Sequence, residues 1–327
     1  MFKAIYINKD DKDYTAQITE LDESALPDED VLIAVEYSTL NYKDALGITG
    51  KSPVVRQFPM VAGIDLAGTV LESRSEGFSA GDKVLVNGWG LGEQYWGGLA
   101  QKARINAEFV QKMPAGLSSQ HAMAVGTAGY TAMLCVMALE SQGVTPDKGE
   151  VLVTGANGGV GTTAIAILAN LGYNVVASTG RLEQADTLKA LGAKEVVDRA
   201  TLSEPGRPLA KERWAGVVDS VGSHTLANAC AATQSEGAVA ACGLAQGMDF
   251  PATVAPFILR GVKLMGINSV TQTLAVREKA WARVIKDLPE SSLSTITKQV
   301  TLAEALEVAP QFLSGQVQGR IVVDVNA

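Results

Sequence analysis

The chain of 327 residues is long enough for two domains with ample core. Its 47% hydrophobic and 19% charged residues exclude a disordered chain. A formal net charge of −8 argues against nucleic acid or an anionic membrane surface as a main partner, while a local basic pocket and a phosphate-bearing ligand remain compatible with it.

The first residues, 1–7, read as an edge strand rather than a secretory leader, which needs a longer apolar run and a small-residue cleavage site. No stretch reaches eighteen uninterrupted apolar residues, so no membrane span is expected. A continuous apolar strand occupies 31–35, after Pro27 and an acidic turn, and further strands fall at 69–72 and 83–86. Short strands at this spacing, with the glycine pair Gly97-Gly98, suggest a small all-β domain or partly open barrel over 1–120. Residues 122–139 are helical in character, with breaks expected at Gly126 and Gly129. The three cysteines, Cys135, Cys230 and Cys242, are odd in number, far apart and set in apolar surroundings. They read as reduced, buried thiols of a cytoplasmic protein.

From Val151 the chain changes character. Val151-Leu152-Val153-Thr154 runs into Gly155-Ala156-Asn157-Gly158-Gly159-Val160-Gly161, and an apolar segment follows over 162–171. Strand, glycine turn and helix in that order open a βαβ unit. A turn without side chains lets backbone N–H groups approach a pyrophosphate, and the helix N-terminus adds partial positive charge. The competing reading is a glycine-rich turn with no ligand; the flanking strand and helix weigh against it. Strands at 174–178, 195–198, 216–220, 238–242 and 263–267 alternate with helices, beginning with one at 183–191, as in a doubly wound parallel (Rossmann) sheet over 121–268. Helices at 274–287 and 302–313 precede a last strand at 319–324, so 269–327 is expected to return to the N-terminal domain.

The end of the second strand of that sheet chooses between nicotinamide cofactors. A carboxylate there would bind a ribose 2′-hydroxyl; the chain instead has Ser178-Thr179-Gly180-Arg181 and no carboxylate before Glu183. Ser178, Thr179 and Arg181 offer donors to a 2′-phosphate, and Arg199, just past the next strand, adds charge or closes over the adenine. NADPH is the expected cofactor, with a solvated helix-start residue as the alternative role of Arg181.

Three stretches carry a family resemblance: Leu40-Asn41-Tyr42-Lys43-Asp44, the run from Pro59 to Gly68, and Gly126-Thr127-Ala128-Gly129-Tyr130-Thr131-Ala132. With the order of parts, they resemble the medium-chain dehydrogenase/reductase superfamily. That implies an α/β fold: a doubly wound parallel sheet domain plus a β-rich GroES-like barrel domain. Asn87 to Glu93, Trp96 to Ala100 and Gly126 to Glu140 are similar to the NADPH-dependent acrylyl-CoA reductase group of the quinone-oxidoreductase-like branch. The resemblance implies cofactor contacts at Tyr42, Thr127, Asn157, Gly158, Gly159, Val160, Leu244 and Ser269, with a further one near Arg320, and it implies a homodimer. The strand at 263–267, as an uncovered sheet edge, would pair with its copy. Zinc members carry Cys and His ligands and a Gly-His-Glu motif, where this chain has Gly63-Ile64-Asp65. With two histidines, His121 and His224, and no Cys-x-x-Cys pair, a zinc alcohol dehydrogenase is not expected. Both histidines read as surface or helix-end residues.

The activity implied is reduction of the activated double bond of an acrylyl-type thioester. Hydride attack at the β-carbon forms an enolate, which needs donors at the thioester oxygen and a proton at the α-carbon. Asn41, Tyr42 and Asp44, with Lys43 between them, offer amide, phenol, carboxylate and ammonium where zinc relatives place their first metal ligand; the alternative is a solvated turn. Asn41 and Tyr42 are expected to orient the substrate carbonyl and the nicotinamide. Related enoyl reductases carry a proton-donating tyrosine about eleven residues after the asparagine. This chain has Lys51-Ser52-Pro53 there, which leaves Tyr42, a ribose hydroxyl or water. Lys51, Arg56 and Arg104 are candidates for the CoA phosphates, or ordinary surface charges. Two other functions stay open: an NADPH:quinone oxidoreductase or general enone and alkenal reductase, and a non-catalytic NADPH-binding protein.

Overall fold

In the computed structural model, which describes residues 1–10 and 13–327, the chain divides into two units. The first comprises Met1–Thr127, Val270–Leu274 and Thr297–Ala327; the second comprises Ala128–Ser269 and Ala275–Ile296.

The first unit begins with β1 (Phe2–Asp10), β2 (Asp13–Leu21), β3 (Val31–Leu40), α1 (Tyr42–Thr49), β4 (Met60–Val61), β5 (Asp65–Ser73), β6 (Lys83–Asn87), β7 (Lys102–Ile105) and β8 (Gln111–Lys112). Helix α2 (Ser119–Ser141) then leads out of it. In the second unit follow β9 (Glu150–Val153), α3 (Gly159–Asn170), β10 (Asn174–Thr179), α4 (Ala185–Ala190), β11 (Glu195–Asp198), β12 (Trp214–Asp219), α5 (Ser223–Ala232), β13 (Thr233–Ala241), α6 (Ala255–Arg260) and β14 (Lys263–Gly266). The chain ends with α7 (Leu274–Asp287), α8 (Glu290–Ile296), β15 (Thr297–Thr301), α9 (Leu302–Leu313) and β16 (Arg320–Asp324).

Strand β3 is the spine of the first unit. Its Val, Leu and Ile side chains are buried on both faces, and it pairs with β5, β7 and β16. The antiparallel register of β16 on β3 sets Ile321 opposite Leu40, which brings Arg320 beside the end of β3. Ile5, Ile33, Leu66, Val84, Leu99 and Val323 form the core between this sheet and a smaller one of order β2-β1-β4. The second unit is a six-stranded sheet of order β11-β10-β9-β12-β13-β14, parallel throughout. Its order reverses beside β9, whose Val151, Leu152 and Val153 are wholly buried, and ligands bind such sheets at the carboxyl ends of the strands flanking that point.

The final strand returns to the first unit as expected, but several expectations need correction. Strand β1 is central in its sheet rather than an edge, because β2 and the short β4 cover both sides. Helix α2 runs through Gly129 and departs from helical geometry at Gly126 alone (φ 50°, ψ −163°). Although α2 is long and apolar enough to cross a membrane, most of its apolar length is buried. The unit boundary falls after Thr127, not at 120, since the first turns of α2 stay with the first unit: Ser119 donates to Glu36 at 2.6 Å. Residues 275–296 belong to the second unit rather than to the return, because Trp281 of α7 stacks on Tyr130 there. The helix expected at 183–191 is a 3-10 turn at Leu182–Gln184 followed by α4. Cys135 and Cys230 are buried, while Cys242 is only partly so.

Candidate functional site

Asp65 organises the functional end of the first unit. It opens β5 with no solvent exposure, and its carboxylate gathers donors from four other segments. Thr39 Oγ1 donates to Oδ2 at 2.7 Å, Asn41 Nδ2 at 2.9 Å and the Thr127 backbone N–H at 3.0 Å. Asn87 Nδ2 donates to Oδ1 at 2.8 Å, and the Thr127 hydroxyl donates to the same oxygen. Arg320 is 2% exposed; its Nε donates to Ala124 O at 2.9 Å and its Nη1 to Asn41 Oδ1 at 3.2 Å, while Nη2 has no hydrogen-bond partner. Gly126 explains the bend in α2. A Cβ there would lie 2.5 Å from Arg320 Nη2, and its φ of +50° suits glycine alone.

Asn41 caps α1, and its own N–H donates to Asp44 Oδ2 at 2.8 Å, three residues on. The Asp44 carboxylate also takes Asn41 Nδ2 at 3.1 Å and the Ile64 N–H at 2.9 Å. Burial, reinforced by the charge of Asp65, pushes its pKa up to about 7, against the pull of those donors. The polar run is therefore no solvated turn but the first turn of a helix over a buried network. Asn41 and Asp44 are engaged in that network, and of the three expected catalytic residues Tyr42, 41% exposed, is the one open to solvent. Lys43 pairs with Glu93, which also accepts from Arg56 Nε at 2.9 Å. Burial raises the Glu93 pKa, yet these two cations hold it below its usual value. Arg56 and Arg104 thus carry ion pairs, the second a long one of 3.5 Å to Glu72, and Lys51 is exposed.

In the second unit, α3 starts at Gly158 with no side-chain cap, so its first-turn N–H groups face outward from the turn without an internal acceptor from the cap. Gly161 packs so closely on the turn that a Cβ would stand 2.4 Å from Gly155 O. Asn157, 3% exposed, latches the turn to the end of β10: its Nδ2 donates to Gln184 Oε1 at 2.8 Å and its Oδ1 accepts from the Thr179 hydroxyl. Thr179 Oγ1 in turn accepts the Arg181 N–H at 3.0 Å. Ser178 points to the other face of the strand, 1% exposed, with its hydroxyl unpartnered. Of the expected phosphate donors, then, the hydroxyls of Ser178 and Thr179 lie inside, because alternate strand residues take opposite faces and both faces are covered. The guanidinium groups remain. Arg199 lies on Gly180, its Nε 2.5 Å from where a Cβ would be, next to Arg181. Burial, and then Arg199, pull the Arg181 pKa down, with Glu183 opposing. Two arginines stand at the end of β10, where the residues from Ser178 to Leu182 include no carboxylate.

Among the remaining expected residues, Leu244 is 55% exposed in the loop after β13, and Ser269 O accepts from buried Arg277 at 3.3 Å. Gly159 and Val160 form the first turn of α3. Asn41, Asp44, Thr127 and Arg320 come together in the first unit; Asn157, Gly158, Thr179, Arg181 and Arg199 form a second group in the other. The sequence reading missed Asp65, Thr39 and Asn87 as site residues, and also Asp219, which accepts Thr154 Oγ1 at 2.6 Å and pins β12 to β9. A buried carboxylate following a glycine, in Gly63-Ile64-Asp65, was the available signal. Among the described residues, no group of three or more His, Cys, Asp or Glu side chains is arranged to hold a metal.

Residues 27–115 match the family described as alcohol dehydrogenase GroES-like domain, and residues 159–288 the family described as zinc-binding dehydrogenase. The chain is 51% identical to Acrylyl-CoA reductase AcuI of Ruegeria pomeroyi over 330 residues, covering 100% of both chains. It is 50% identical to Probable acrylyl-CoA reductase AcuI of Escherichia coli K12, covering 99% of this chain and 100% of that one. The solved structure of the yhdH oxidoreductase from Salmonella enterica in complex with NADP is 50% identical, with a TM-score of 0.97 over 99% of each chain.

Proposed function

The chain belongs to the medium-chain dehydrogenase/reductase superfamily, close to the acrylyl-CoA reductases, and from that premise we propose that it reduces acrylyl-CoA to propionyl-CoA with NADPH. The observation that carries the cofactor half is the end of β10, where Arg181 and Arg199 stand together and the strand ends without a carboxylate from Ser178 to Leu182. The substrate half is supported by relatives that match over the full chain.

The residues fit the cofactor. The uncapped first turn of α3 would hold the pyrophosphate, with Gly161 keeping the turn tight, and the two arginines would hold the 2′-phosphate. When bound, the nicotinamide supplies a hydride equivalent. Tyr42 offers its hydroxyl to the thioester oxygen, where negative charge develops as hydride reaches the β-carbon. Asn41 positions Tyr42 by capping the helix that presents it, and the Asp65 network holds Asn41. A proton then adds at the α-carbon. Tyr42→Phe tests that donor: a large fall in kcat supports it, and an unchanged kcat removes Tyr42 both as oxyanion donor and as proton source. The reaction proposed is zinc-independent, because Asn41 and Ile64 occupy positions of zinc ligands in related enzymes and the Asn41 amide is already engaged.

We also propose a cytoplasmic homodimer joined at β14. That strand is the free edge of its sheet, and the preceding segment exposes Met248 (86%), Val254 (66%), Ile258 (72%) and Leu259 (69%). Light scattering that gives a monomer at micromolar concentration contradicts the dimer. Rates of NADPH oxidation with acrylyl-CoA, crotonyl-CoA and a simple quinone test the activity. Turnover of acrylyl-CoA supports it, and turnover of the quinone alone replaces it with a quinone oxidoreductase.

A further inference from the structure

The first unit carries a surface cleft of about 320 Å³ that none of the chemistry above uses. Tyr95, Trp96 and Phe109 line it. Tyr95 meets Phe109 edge-on at 5.2 Å, and Trp89, outside the lining, backs Phe109 by stacking on it with ring centroids 5.1 Å apart. Tyr95 is 40% exposed, so part of this platform faces solvent. Gln57 and Gln94 bring amides to the rim, and one acid, Glu29, balances one base, Arg104. Aromatic walls set at an angle, amide edges and one acid to one base suit a neutral heteroaromatic ring, stacked on one wall and met by the other, rather than a polyanion. The volume stands at the low end for ligand pockets, enough for one ring system and not for a whole cofactor.

The loop that builds the cleft also reaches the buried carboxylates. Asn87 donates to Asp65 at 2.8 Å, and Glu93 pairs with Lys43 of α1 and with Arg56. Between them, Trp89 adopts a left-handed φ of 54°, costly for an aromatic residue and held by its N–H bond to Val270 O at 3.0 Å. One loop therefore fixes the cleft relative to the helix that presents Tyr42.

We propose that this cleft holds the purine ring at the far end of the acyl-CoA substrate, with the ring on Tyr95 and Phe109, its edge at Gln57 and Gln94, and its phosphates in solvent. The proposal rests on the acyl-CoA reading given above. Its first test compares acrylyl-CoA with acrylyl-pantetheine, which lacks the nucleotide. Tyr95→Ala raises KM for acrylyl-CoA about tenfold, the scale of a lost base–aromatic stack, and leaves kcat/KM for acrylyl-pantetheine within about twofold of wild type. Tyr95→Phe restores the acrylyl-CoA KM. Equal losses on both substrates, or none on either, overturn the proposal. Its second test is independent of turnover: calorimetric titration of adenosine 3′,5′-bisphosphate into protein saturated with NADP. One site that weakens about tenfold in Tyr95→Ala supports the cleft even where acrylyl-CoA is not reduced, in which case only the substrate reading falls. No binding, or binding that Tyr95→Ala leaves unchanged, overturns the cleft whatever the enzyme reduces.

Discussion

Replacing Asp65 by asparagine keeps the shape of the side chain and removes what its neighbours require. Every group around the carboxylate is a donor: Thr39, Asn41 and the Thr127 N–H on one oxygen, Asn87 and the Thr127 hydroxyl on the other. An amide NH2 in place of either oxygen faces donors. The cheaper placement is opposite Asn87 and the Thr127 hydroxyl, because that hydroxyl can turn and accept, which leaves the Asn87 bond broken. An orphaned buried donor costs about 1–3 kcal/mol. The buried Arg320 guanidinium also loses the stronger of its two counter-charges, Asp65, and keeps only Asp44, so the total comes to about 3–5 kcal/mol, the scale of breaking a buried charge pair from one side. For a unit of this size each kcal/mol moves the melting point by about 2–4 °C, so the calorimetric transition of the first unit falls by about 10 °C. A second readout comes from Asp44, whose pKa is held at about 7 in part by Asp65; carboxyl NMR will find it lower in Asp65→Asn. A melting shift under about 2 °C, or an unmoved Asp44, refutes the picture of one coupled buried network.

Arg181→Ala and Arg199→Ala each weaken NADPH binding about 10- to 100-fold, the range of one charge-assisted bond to phosphate, and change NADH binding less than about twofold. Equal losses for both cofactors would place the arginines elsewhere. Gly161→Ala puts a Cβ 2.4 Å from Gly155 O and displaces the turn, so NADPH and NADH affinities fall together, by about tenfold or more, in fluorescence titrations. Asp44 gives the pH dependence. Its folded pKa of about 7 lies above the unfolded value of 3.8, so the stability it contributes is complete below the unfolded value and is lost as pH rises to about 7. The difference between wild type and Asp44→Asn in unfolding free energy from urea titrations will shrink from pH 4 to pH 7 by up to about 4 kcal/mol and stay level above; a difference that grows with pH contradicts the assignment.

The second unit was legible because its information is local. Apolar runs at 151–154, 174–178 and 195–198 separated by helices with glycine ends announce a parallel sheet, and the structure follows them within a residue or two. The first unit hides its centre, because Thr39, Asp65, Asn87, Thr127 and Arg320 lie far apart in the chain and meet only through the registers of β3, β5, β6 and β16. Gly63-Ile64-Asp65 drew attention for the missing histidine at 64, whereas the residue that matters to the site is Asp65, beside it. Helix α1 escaped notice since its first turn is polar and its apolar face short, and its capping bond from Asn41 to Asp44 shows only in three dimensions. Likewise, nothing in the spacing of Ser178 and Thr179 tells which hydroxyl a buried asparagine will claim.

The central claim is hydride transfer from NADPH to the β-carbon of acrylyl-CoA with a solvent-derived proton at the α-carbon. Incubation with NADPH deuterated at the transferring position, and separately with unlabelled NADPH in deuterated water, followed by NMR of the product, reads both steps at once. The account predicts propionyl-CoA with cofactor deuterium at the β-carbon and solvent deuterium at the α-carbon. Cofactor deuterium at the α-carbon, or no propionyl-CoA from an enzyme that oxidises NADPH with other acceptors, contradicts it.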